Sequence, residues 1–107
     1  MGTLFYGNGC VSIPIEDRAL AHLKVVIVVK LRRGERFTVS WRHPDDQPPG
    51  RSTIWVDPSI PLLFTFDEPE PPSLNHEWLE ELAQLASSTN GITLTPEHLA
   101  SSALGAE

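Results

Sequence analysis

One stretch constrains this chain more than any other: Asp17 to Arg33, which opens on acid and stops at a glycine. Leu20, Leu23, Ile27 and Leu31 recur at 3-4-4 spacing, so on an α-helix they form one stripe. Glu16 and Asp17 open the segment, and Lys30, Arg32 and Arg33 close it. Both placements suit the helix dipole. Asp17 is the expected N-cap and Gly34 the expected C′ residue. The rival is a strand through Val25-Val26-Ile27-Val28-Val29, because β-branched residues favour sheets. Two caps that agree with the stripe decide for the helix. Such a helix needs an apolar surface to cover its stripe, and the remaining segments supply it as strands.

Thr3 to Tyr6 and Val11 to Ile15 flank Gly7-Asn8-Gly9, residues that adopt positive φ cheaply, and read as a hairpin. Phe37 to Arg42 alternates apolar and polar residues, the signature of a half-buried strand. His43 to Gly50, rich in proline and aspartate, is a loop. Ser52 to Val56 and Leu62 to Phe66 are further strands around an Asp57–Pro61 turn, and together they suggest a meander. After an acidic, proline-rich connector from Asp67 to Pro72, the spacing predicts a helix over His76–Ser87. Asn75 caps it, Asn90-Gly91 lies beyond its end, and Trp78, Leu79, Leu82 and Leu85 line its inner side. Ile92 to Leu94 reads as an edge strand. Thr95-Pro96-Glu97 starts a last short helix reaching about Leu104, with frayed residues after it. The order is β-β-α-β-β-β-α, then β and α. The expected fold is α+β: one antiparallel sheet of five to six strands, two main helices on one face, and a single domain over residues 1–107.

The chain has 107 residues, 40% of them hydrophobic, enough for a core without cross-links. Cys10 is the only cysteine, so no intrachain disulfide forms, and it is expected to be a small buried hydrophobe. The N-terminus lacks a basic stretch followed by a long apolar one, which argues against a signal peptide. Tyr6 breaks the myristoylation pattern that Met1-Gly2 would begin. The longest apolar run, Val25 to Val29, is far short of the ~20 residues of a membrane span. A cytoplasmic protein with no membrane partner is expected. The net charge of −6 is unevenly spread. Through residue 53, eight basic side chains accompany five carboxylates; from Ile54 onward there are nine carboxylates and no Lys or Arg.

Catalytic patterns are missing. No Gly-x-x-x-x-Gly-Lys run is present, and a hairpin turn accounts for Gly7-Asn8-Gly9. His22, His43, His76 and His98 are scattered. His76 and Glu80 share a helix face, and His43 lies near Asp45 and Asp46, but solvated surfaces explain both. No serine sits in a Gly-x-Ser-x-Gly elbow. Asp67, Glu68 and Glu70 would need burial to do acid–base work, and a proline-rich connector exposes them instead. No catalytic residue, cofactor or metal is expected.

Two surfaces stand out. On the first helix, Arg18, His22, Val25, Val29, Arg32 and Arg33 gather opposite the apolar stripe, so valines lie within a basic face. On the second strand of the meander, Trp55 alternates with Ile54 and Val56. If those two point inward, Trp55 joins Thr53, Ser40 and Arg42 on the open face. Exposed Trp beside Arg is the composition of an interaction hot spot.

Residues Ile15 to Trp41 (IEDRALAHLKVVIVVKLRRGERFTVSW), Gly50 to Leu62 (GRSTIWVDPSIPL) and Leu74 to Leu82 (LNHEWLEEL) resemble a small actinobacterial family of unknown function. The resemblance runs to about Pro96. Its members are often labelled ATP-dependent DNA ligases, and such ligases form a lysyl-adenylate, usually within a Lys-x-Asp-Gly motif. Lys24 and Lys30 are followed here by Val-Val-Ile and Leu-Arg-Arg, so no catalytic residue carries over. The expected role is a non-catalytic binding module that self-associates as a homodimer or meets another protein. The alternative is association with nucleic acid through the Arg-rich helix and the sheet face.

Overall fold

A computed structural model describes residues 1–8 and 11–95 of the chain. Cys10, His98 and the last short helix expected from Thr95 to Leu104 lie outside the described residues, apart from Thr95 itself. The elements run β1 (Gly2–Tyr6), β2 (Val11–Ile15), α1 (Asp17–Arg32), β3 (Phe37–Arg42), β4 (Arg51–Val56), β5 (Leu62–Thr65), α2 (His76–Ala86) and β6 (Ile92–Thr93).

The long central segment is helical, as its stripe and caps require. Its N-cap is Glu16, one residue before the expected Asp17. The Glu16 carboxylate accepts from the Arg18 and Ala19 N–H groups at 3.2 and 3.1 Å, which frees Asp17 for a different task. At the other end Gly34 takes φ of 75°, Gly34 N–H donates to Leu31 O and Glu35 N–H donates to Lys30 O. This pair of bonds is the Schellman closure that a C′ glycine permits. Asn75 caps α2 as expected, its Oδ1 accepting from Glu77 and Trp78 N–H.

The single sheet expected from the strand order is instead two three-stranded sheets, β2-β1-β5 and β4-β3-β6. The reason lies at the Asp57–Pro61 turn. Asp57 closes it by accepting the N–H and hydroxyl of Ser59, and Ile60 N–H donates to Asp57 O. Pro58 and Pro61 have no N–H to offer a ladder back along β4. Pro61 O accepts from Gly7 N–H at 3.0 Å, and β5 continues antiparallel along β1. The meander therefore ends at β4. β6 lies parallel to β3, so the second sheet is mixed. Gly91 makes that approach fit: its φ is 74°, and a Cβ there would collide with Thr38 Oγ1 and, at 2.6 Å, with Thr38 O.

Each sheet has its own helix. α1 lies over β1, α2 lies over β3 and β6, and the helices pack on one another. One buried cluster joins Leu4, Ile13 and Ile15 of the first sheet to Leu20, Leu23 and Ile27 of α1. The same cluster continues through Trp78 and Leu82 of α2 to Phe37, Val39, Val56 and Ile92 of the second sheet. Lys30, largely buried, ties the two helices together by donating to Ser87 Oγ at 2.8 Å. Among the described residues, no helix is long and apolar enough to cross a membrane.

Candidate functional site

The outer face of β3 and β4 is set by register. Thr38 stands opposite Trp55, Ser40 opposite Thr53, and Arg42 opposite Arg51. Directly opposed residues share a face, so all six point away from buried Phe37, Val39 and Val56. Trp55 is 49% exposed, as the inward orientation of Ile54 and Val56 demands. Ser40 and Thr53 hydroxyls lie 2.7 Å apart. Tyr6 Oη donates to Trp55 O at 2.5 Å, which tethers this sheet to the other one. Arg42 and Arg51 are both exposed and have no ion-pair partner among the described residues.

The helix face drawn from periodicity needs correction at His22. That ring is fully buried and is not a contact residue. α2 docks along that flank of α1, and His22 fills the joint. Its Nδ1 lies 2.8 Å from Arg18 O, and its Nε2 accepts from Asn75 N–H at 2.8 Å. Its ring sits 4.6 Å from that of Trp78. These contacts use the neutral tautomer with the proton on Nδ1. Arg18 also holds the fold together, donating from Nη1 to Ser73 O at 2.9 Å. Val25 and Val29 line a groove between the helices with Leu79, Ala83, His76 and Glu80. Arg32 and Arg33 are exposed at the far end, and Lys24 and Val28 are also open to solvent. The structure thus separates the expected basic-apolar face into a buried joint, an interhelical groove and an exposed tip.

Three carboxylate interactions order the periphery. Asp17 accepts the N–H groups of Asp67 and Glu68 at 3.0 and 2.9 Å, anchoring the acidic connector to the start of α1. These bonds, Glu68 N–H foremost, hold the Asp17 carboxyl below its ordinary value. Asp57 is lowered likewise, first by the Ser59 N–H, then by the Ser59 hydroxyl and by Arg36 at 2.6 Å. The α-ammonium of Met1 is raised, chiefly by its 2.9 Å hydrogen bond to Asp67. Each interaction explains local order and none assembles a reactive group.

A cleft of about 460 Å³ escaped the sequence reading. Ile15, Ala19, Trp41, Trp78 and Leu94 form its apolar wall, with Glu16, Arg42 and Thr95 also lining it. Trp78 belongs to the buried core on α2, and Trp41 of β3 packs against that core. The available signal was that an inward tryptophan carries an N–H that must find an acceptor. Among the described residues, no three His, Cys, Asp or Glu side chains stand close enough to share a metal ion. His43 instead pins its own loop, through Ser52 Oγ at 2.8 Å and Pro48 O at 3.2 Å.

A family model described as a domain of unknown function, DUF7882, matches residues 1–97. No curated protein and no solved structure matches the chain.

Proposed function

The chain belongs to the DUF7882 family of domains of unknown function, and we propose that it is a small non-catalytic binding module whose partner is a second copy of itself. The observation that supports this reading best is the outer face of β3 and β4. Half-exposed Trp55 shares it with Arg42 and Arg51, which stand directly opposite one another. Like charges so placed repel, and an acidic partner relieves the repulsion. The same chain carries that complement in exposed Asp67, Glu68 and Glu70. In a two-fold dimer each copy offers the basic face once and the acidic connector once.

Light scattering on the full chain across a salt series tests this. A dimer at low salt that dissociates as the charges are screened is expected. Trp55→Ala is expected to weaken it by about 2 kcal/mol, roughly thirty-fold in Kd. A strict monomer at every salt and protein concentration sinks the reading.

The same grouping of Trp55 with two arginines supports a second reading, stacking and charge contact with single-stranded nucleic acid. The net charge of −6 opposes it at long range. Fluorescence anisotropy with a labelled oligonucleotide at low salt decides between them, since binding there would favour the nucleic-acid reading.

A further inference from the structure

We propose that the cleft between the two sheets binds a small, largely apolar molecule bearing a carboxylate, held by the Trp78 indole N–H and the Thr95 hydroxyl with Arg42 at the rim. Trp78 is 3% exposed, and its Nε1–H is buried without an acceptor. Thr95 Oγ1 is also buried without a partner. Among the described residues these are the two buried side-chain polar atoms left unpaired, and both residues line this one cleft. Buried polar groups in native folds are nearly always paired, so two orphans in a single depression indicate an absent ligand group.

The surroundings narrow its chemistry. An indole N–H only donates, so the ligand must bring an acceptor. Neighbouring residues cannot supply one: both His22 nitrogens are engaged, by Arg18 O and by Asn75 N–H. Nor does Glu16, whose carboxylate caps α1. Arg42, without an ion-pair partner among the described residues, favours a charged acceptor over a neutral one. Ile15, Ala19, Trp41 and Leu94 present carbon to the rest of the ligand. About 460 Å³ falls within the range of small-molecule sites. Arg42 is common to this cleft and to the proposed dimer face, whereas Trp78 and Thr95 belong to the cleft alone, so the Trp78 signal tells the two readings apart.

The test titrates decanoate, decanamide and decylammonium, each below its micelle concentration, into the full chain with ¹⁵N-labelled tryptophan. The indole N–H signal of Trp78 is expected to move downfield with decanoate and decanamide, while that of Trp55 stays. Decanoate should bind more tightly, and Arg42→Ala should remove about tenfold of its affinity while leaving decanamide unchanged. Thr95→Val should weaken both by about fivefold. An unmoved Trp78 signal at saturating decanoate and decanamide overturns the proposal. So does equal binding of decylammonium, which would mark simple apolar partition.

Discussion

The two sheets have the same strand number and bury one face each in the same core, yet their outer faces differ completely. Outside β2-β1-β5 lie Thr3, Phe5, Ser12, Pro14, Leu63 and Thr65, with no charge among them. Outside β4-β3-β6 lie Thr38, Ser40, Thr53 and Trp55 with Arg42 and Arg51. Alternation serves both sheets equally well, because folding asks only that one side be apolar. The outer residues are therefore free of the fold's demands, and it is there that the sheets diverge. The neutral face sets no like charges against each other, whereas the other face places Arg42 directly opposite Arg51.

The sharpest way to break the second sheet alone is Gly91→Ala. Positive φ costs a non-glycine about 1–2 kcal/mol, and overpacking against Thr38 adds about 1–3 kcal/mol. A loss of about 4 kcal/mol in denaturant unfolding is expected, and a loss under 1 kcal/mol would deny that β6 is held as described. In the first sheet, Leu4→Ala removes a side chain that is 1% exposed and should cost about 3 kcal/mol. Equal effects of Leu4→Ala and Leu63→Ala would contradict the assigned faces.

Acid sharpens the contrast at the connector. The Asp17 carboxyl is lowered from 3.8, so its contribution is present above that value and is lost as pH falls through its lower folded pKa. Asp17→Asn should be less stable than the parent at neutral pH, with the difference shrinking toward acid. A constant gap from pH 7 to pH 2 would refute the linkage. The smallest effect belongs to the neutral face: Leu63→Ser, at a site 57% exposed, should change stability by no more than about 0.5 kcal/mol. It should also leave any dimer intact.

Local elements were legible in the chain because their signals are local. Caps, stripes and alternation located α1, α2 and the strands to within a residue or so. Partner choice was not. Leu62 to Thr65 reads the same whether it pairs with β4 or β1, since alternation reports burial and not the neighbouring strand. His22 was misplaced for a related reason: a helical wheel shows which residues share a side, but only the docking of α2 shows that this side is covered. The side taken by Trp55 stayed conditional in the sequence, because alternation alone does not say whether Ile54 and Val56 or Trp55 turns inward; burial of Val56 decides it. The Trp41–Trp78 cleft required tertiary structure, as its walls come from residues far apart in sequence.

The central claim is that the Trp55 face is where two copies meet. A dilution series of the ¹⁵N-tryptophan-labelled chain at low salt examines that contact directly. The Trp55 indole signal is predicted to shift with concentration while those of Trp41 and Trp78 remain fixed. A Trp55 signal that stays in place across a range in which the molecular mass doubles would assign the contact elsewhere and contradict the account.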